Sequence, residues 1–328
     1  MKTLKERNFK VTLATLDRTS WTHISRVFGS SSRPYGEFYL MNKIPEIPVL
    51  ALRQAFIVLL YLLELLLINL RRKNRLVINM AGEVVDSLGD VVYVNAIPLK
   101  LMHVFPAIQP KQGAQWKCYS RLYSIVTRIL KTPGNIIVTN SRFNQAIIKK
   151  ELGEDALVVS PPVDLTLIKS MENNAARDNI VLTISRFRSA KNLKIIPEIA
   201  RRVENCKFII VGTADKGSEE CLLELSERIR DLAVEERVQL FVNRPFSFVL
   251  EMLAIAKVYL HTQACEAFGM SIVEAMAAGC VPVVPGYGGP WFDILDRRQG
   301  EYGYSFNSLE EAAEVIKTLI GNETIRAE

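Results

Sequence analysis

Two rhythms of apolar and polar residues alternate along this chain. Short β-branched blocks read as strands: KVTLATL (10–16), RLVINM (75–80), DVVYVN (90–95), NIIVTN (135–140), NIVLTIS (179–185), KFIIVG (207–212), RVQLFV (237–242), KVYLHT (257–262) and VPVVP (281–285). Between them, SRFNQAIIKKEL, KNLKIIPEIARRV, GSEECLLELSERIRDLA, MSIVEAMAAG and LEEAAEVIKTLI space their apolar residues at helical intervals. Strand alternating with helix predicts parallel sheets covered on both faces. Strands this continuously apolar are expected to be buried on both sides.

The pattern breaks at SPPVDLTLIKSMENNAARDN, residues 160–179, where two prolines precede a polar, Asn-rich stretch. We expect two α/β domains there, residues 1–163 and 164–328, facing across a cleft. A doubly wound domain normally opens with a central strand and a tight glycine turn. This chain opens with TLKERN, the tail of a helix, and then KVTLATL. The N-terminal domain is therefore expected to lack its first strand, with the chain starting downstream of the true beginning or the gap filled another way. The stretch IPVLALRQAFIVLLYLLELLLINLRR, residues 47–72, has an uncharged run of only ten residues, Gln54 to Leu63. A spanning helix needs about 20 mostly apolar residues. A buried helix is the first reading and a membrane-surface helix the second. The basic cluster Arg71, Arg72, Lys73 and Arg75 suits anionic headgroups or, more plainly, a solvated helix end.

Composition narrows the classes. With 328 residues, 49% hydrophobic and 23% charged, the chain is globular, and a net charge of +6 does not choose a partner. Five cysteines form no C-x-x-C pair and three histidines are scattered, which fits free buried thiols and argues against a His/Cys metal site. No D-x-D pair is present to hold a divalent metal against a diphosphate. The N-terminus, MKTLKERNFK, is polar and carries no visible leader, so a cytoplasmic location is expected. Basic residues are dispersed without interleaved aromatics, which speaks against nucleic-acid binding.

The candidate chemistry lies in EAFGMSIVEAMAAGCVPVV, residues 266–284. Glu266 and Glu274 stand eight apart, a spacing that 25 glutamates produce by chance, so their surroundings must carry the reading. The loop after KVYLHT leads into a helix whose N-terminus lies near Gly269 to Ser271, at the C-terminal edge of a parallel sheet. Open α/β sheets bind ligands at that edge, and a helix N-terminus there is an anion site. Gly269 allows close approach of a phosphate, Glu274 can accept two neighbouring hydroxyls as on a ribose, and Glu266 can reach hydroxyls beyond the phosphate. The alternative is that both glutamates are solvated surface residues. In RFRSAKNLKII, Arg186 and Lys191 occupy the turn after another strand and supply cations for phosphate oxygens.

Together ISRFRSAKN, HTQACEAFGMSIVEAMAAG, NSRFNQ and VVSPPVD resemble the retaining glycosyltransferases of family 4, which have the two-domain GT-B fold. LHT before Glu266 and GGPWFDI (288–294) are similar to the dolichol-linked core α-1,2-mannosyltransferase branch. The resemblance implies a GDP- or UDP-linked sugar donor as substrate, with no cofactor and no metal. It places Arg186 and Lys191 on the diphosphate, Glu274 on the ribose and Glu266 on the donor sugar, with the amides of Phe268, Gly269, Met270 and Ser271 capping phosphate and sugar. It implies same-face attack guided by the leaving phosphate, without a covalent carboxylate nucleophile. The acceptor is expected to be a glycan or lipid-linked, and the protein peripheral at the cytoplasmic membrane face through residues 47–73. The family's Gly-rich turn has no counterpart here, and Asn95 stands on the acceptor side where relatives carry histidine; His103 is no obvious substitute. A catalytically impaired nucleotide-sugar binding protein and a GT-B sugar-nucleotide epimerase are the alternatives to a hexosyltransferase.

Overall fold

The structure, a computed structural model, describes residues 4, 6–22, 24, 33–43, 45, 50–71, 75–82, 88–96, 134–163, 165–169, 177–215 and 217–323. The sequence expectations for His103, Cys118, Arg72 and Lys73 fall outside them. The chain divides into two compact units, and the second takes residues 140–153 together with everything described from 158 onward.

In the first unit, strands β1 (Thr12–Asp17) and β2 (Gly36–Met41) pair in parallel as a two-stranded sheet. A separate four-stranded sheet has the order β3 (Ile78–Asn79), β4 (Val91–Val94), β5 (Ile136–Thr139), β6 (Ala156–Val158). Its β3–β4 and β4–β5 pairs are parallel. Helix α1 (Leu50–Arg71) buries Leu60, Leu62, Glu64 and Leu65, while Leu59, Leu63 and Leu70 stay exposed. Among the described residues, no helix is long and apolar enough to cross a membrane.

The second unit is built on six strands in the order β12 (Tyr304–Phe306), β11 (Val281–Pro285), β10 (Ala256–Leu260), β7 (Asp178–Ile184), β8 (Lys207–Gly212), β9 (Val238–Val242). Every pairing is parallel. Successive strand residues face opposite sides, so two cores form. Val181, Ile210, Val258, Leu260 and Val283 pack under α3 (Ile195–Arg202), α4 (Glu219–Asp231) and α7 (Leu309–Gly321). Leu182, Ile209, Val211, Tyr259 and Val284 pack under α5 (Phe246–Ile255) and α6 (Met270–Ala277). The continuous apolar runs of the sequence follow from this double coverage. Strands β6 and β12, three residues each, are too short to show a period, and β2 is recognisable as a strand only through its pairing with β1.

Helix α2 (Arg142–Leu152) belongs to the second unit although it precedes β6 in the chain. Its first amides are satisfied from two places. Ser141 Oγ accepts from Asn144 N at 3.0 Å, and the Asp293 carboxylate accepts from Arg142 N at 2.6 Å and Phe143 N at 3.1 Å. Asp293 sits in a single π-helical turn, Pro290–Ile294, and Arg142 also reaches back to Phe292 O and Asp296. NSRFNQ and GGPWFDI thus hold each other.

Glu64 is 3% exposed, and its Oε1 has no hydrogen-bond partner among the described residues. Burial pushes its carboxyl up from an ordinary 4.5 to about 7. A raised carboxyl favours the protonated folded form, so its contribution is fully present below the ordinary glutamate range and is lost as pH rises through about 7. The expected outcome is a drop in urea-unfolding free energy between pH 5 and pH 8 that is smaller in Glu64→Gln. An equal drop in both proteins would show that this carboxyl titrates in its usual range.

Candidate active site

The strand order of the second unit reverses between β7 and β10, so the segments leaving their C-terminal ends lie side by side. After β7 come Arg186, buried Phe187 and the 3-10 turn Ser189–Lys191, closed by Asn192 with φ 52°. After β10 come His261, Thr262 and the loop to Glu266. The two segments are tied directly: Thr262 Oγ1 donates to Lys191 O at 2.6 Å, and Lys191 Nζ donates to Glu266 Oε2 at 2.6 Å. Tyr259, fully buried on β10, donates its phenol to Ile184 O at 3.1 Å and lies 2.8 Å from Ser271 Oγ, joining both strand ends to the start of α6.

Helix α6 begins at Gly269, whose φ of 103° favours glycine. No side chain caps the helix and its first turn has no acidic residue. Ile272 N bonds Gly269 O at 3.0 Å, which leaves the amides of Phe268, Gly269, Met270 and Ser271 as the approach to an anion. The Glu266 loop is braced from behind. Gly289 N donates to Glu266 O at 2.8 Å, and a Cβ on Gly289 would collide with the Ala267 carbonyl. Gly288 has φ 111°, and a Cβ there would come 2.5 Å from Ala264 O. This close fit explains the paired glycines of GGPWFDI.

The charges at the site differ in how they are held. Arg186 is exposed, and its guanidinium makes no ion pair among the described residues, whereas neighbouring Arg188 is bound to Asp215 at 2.6 Å. The Glu274 carboxylate is partly buried with no hydrogen bond or ion pair among the described residues, and burial holds it above the usual range. Burial also raises Glu266, but Lys191, His261 and the Ala267 amide outweigh it, so the carboxyl ends below its usual range. His261 is 7% exposed. Burial lowers it to about 4, so the ring is neutral near pH 7. Among the described residues its Nε2 has no hydrogen-bond partner, and it lies 3.9 Å from Glu266 Oε2.

The structure therefore brings Lys191, Glu266, Ser271 and the start of α6 together at one sheet edge, with Arg186 on the turn beside them. Asn95 lies in the first unit, exposed just after β4. Sequence reasoning did not single out His261, which is buried beside Glu266; its only trace was the position of LHT ahead of the first glutamate. It also missed the bracing by Gly288 and Gly289, because collisions with a distant loop leave no local pattern.

With this geometry the fold is GT-B-like, an α/β arrangement on parallel sheets. WaaG, a glycosyltransferase involved in lipopolysaccharide biosynthesis, matches with a TM-score of 0.69 and 16% identity, over 99% of this chain and 86% of that one. HepE of Anabaena, solved in complex with UDP and glucose, matches with a TM-score of 0.60 and 17% identity, over 96% of this chain and 83% of that one. Likeness at these identities shows the fold. Residues 166–328 match the family Glycosyl transferases group 1, so the chain carries a domain of that family. Among curated proteins, it is similar to the GDP-Man:Man(3)GlcNAc(2)-PP-Dol alpha-1,2-mannosyltransferase of Dictyostelium discoideum, 27% identical over 221 residues, 62% of this chain and 43% of the relative. The human protein of the same name is 26% identical over 218 residues, 62% of this chain and 44% of the relative. The matches span less than half the length of these relatives.

Gly289→Ala is expected to lower stability by about 1–3 kcal/mol, because the added methyl has no room against the Ala267 carbonyl. Gly321→Ala, where nothing lies within 4 Å, is expected to be neutral or slightly stabilising. Urea unfolding of the two variants side by side checks this, and equal behaviour would refute the bracing role.

Proposed function

We propose that the chain is a metal-independent, retaining glycosyltransferase that moves a hexose, in the first instance mannose from a GDP-linked donor, onto a lipid-linked glycan. The observation that carries the reading is the group at the switch point: Lys191, Arg186 and the uncapped start of α6 beside two carboxylates. A diphosphate takes the two cations and the helix amides. Ribose hydroxyls supply the donors that Glu274 lacks, which removes the cost of a half-buried, unpaired carboxylate. Glu266 takes hydroxyls of the donor sugar. As the glycosidic bond breaks, negative charge builds on the leaving diphosphate. Fixed cations and helix amides stabilise that charge more in the transition state than in the ground state. The names of the mannosyltransferase relatives support the donor and the acceptor class.

Calorimetric titration of the full chain with GDP, UDP and ADP tests the donor site. One nucleotide is expected to bind, and Lys191→Ala and Glu274→Ala each weaken it. A lost charge-assisted hydrogen bond is worth about 1.5–3 kcal/mol, or roughly ten- to a hundredfold in Kd. Binding without transfer to a lipid-linked glycan would favour the nucleotide-sugar binding protein, and no binding by any of the three would overturn the site.

We also propose that the protein works peripherally at a cytoplasmic membrane face. Leu59, Leu63 and Leu70 are 63%, 46% and 82% exposed on one stripe of α1, and the basic run Arg71–Arg75 follows. Cosedimentation with vesicles containing phosphatidylserine should exceed that with neutral vesicles and should fall when all three leucines become serine. Equal recovery of both proteins with both vesicles would exclude this surface.

A further inference from the structure

Besides the Ala267 amide, the Glu266 carboxylate has one side-chain partner within reach and a second just outside it. Lys191 Nζ and His261 Nε2 both approach the same oxygen, Oε2, at 2.6 Å and 3.9 Å. The lysine bond is made; the histidine distance is too long for one. Yet Nε2 is buried, and a buried ring nitrogen with no partner is uncommon enough to require a reason. The Gln263 backbone favours a proton on the ring, and because Nε2 has no partner among the described residues the proton of the neutral ring is assigned to Nδ1. In the neutral ring Nε2 then carries a lone pair facing a carboxylate oxygen. Two acceptors do not bond, and the 3.9 Å gap follows.

The reading of this site as one that takes a diphosphate creates a conflict for Lys191. It cannot give its full charge to an incoming phosphate while bound to Glu266, and if it leaves, Glu266 remains as a partly buried carboxylate without a cation. We infer that His261 is a positioning residue held in reserve for Glu266: when an anionic ligand draws Lys191 away, Nε2 takes up a proton from solvent and donates to Oε2. Nothing else is consumed; one N–H bond forms and one proton leaves the solvent. The charged groups acting on the ring, Lys191 and Glu266, both favour the exchange. Lys191 lowers the basicity of His261 while it is near, Glu266 raises it, and only the first departs. The backbone tie from Thr262 Oγ1 to Lys191 O keeps the two segments together while the lysine side chain moves. In this way Glu266 keeps its place and its negative charge in both states.

The inference rests on the diphosphate reading for its trigger but can be tested without it. In the full chain labelled with 15N-histidine, His261 is assigned by comparison with His261→Gln, and Nε2 is followed near pH 7. In Lys191→Met with no ligand, the Nε2 resonance is expected to move from the position of a bare ring nitrogen to that of a protonated one. Its midpoint in a pH titration should rise from about 4 to 7 or above, which is roughly a thousandfold gain in proton affinity. Lys191→Gln serves the same purpose if the methionine variant does not fold. GDP or UDP added to the unmodified chain should produce the same movement. A bare Nε2 in a folded lysine variant would overturn the reserve role, whatever the nucleotides do. Movement in the variant with no response to either nucleotide would uphold the role and count instead against the diphosphate reading. A purely structural histidine would show the same resonance throughout.

Discussion

A parallel sheet buried on both faces has only its strand ends left to meet a ligand, and the second unit is organised around that restriction. Its six strands reverse direction of winding between β7 and β10, so the two segments leaving that point are neighbours without a helix between them. The hydrogen bonds from Thr262 to the Lys191 carbonyl and from Lys191 to Glu266 span this gap. The helix N-terminus at Gly269 and the phenol of Tyr259 are fixed by the same two strand ends.

The site rests on rigid supports, but its charges are not balanced. Arg186 lacks a counter-ion among the described residues and Glu274 is held partly buried without a donor, while Lys191 and Glu266 satisfy each other. Cations that stand ready and carboxylates that lack hydroxyls are what a phosphorylated sugar would complete. The neighbouring Arg188–Asp215 and Arg202–Glu310 pairs, each between exposed partners, show the ordinary alternative: closed ion pairs with little left to offer.

Support for the loop that carries Glu266 comes from sequence-distant segments. Gly288 and Gly289 lie against its carbonyls, and the turn that follows them ends in Asp293, which caps α2. One short stretch, GGPWFDI, therefore connects the loop of the site to a helix that begins 150 residues earlier at Arg142. A substitution here would act on the site through packing, without touching a ligand.

How much was legible in advance depends on the range of each interaction. Nine of the strands and the main helices follow from local periodicity, since an apolar run between polar turns can only be buried. The placement of Arg186, Lys191 and Glu266 after strands was legible for the same reason, as was that of Glu274 inside the helix that follows Glu266. Beyond local range the sequence was silent. That Lys191 bonds Glu266, 75 residues away, depends on two strands being adjacent. That His261 is buried with a nitrogen unpartnered among the described residues depends on what covers it, and the capping of α2 by Asp293 depends on two segments meeting in space. Periodicity and turn chemistry are properties of neighbours in the chain, so the sequence alone determined the elements and their order. Which charges are paired, which are left waiting, and which glycines admit no side chain are properties of neighbours in space, and only the tertiary structure decided them.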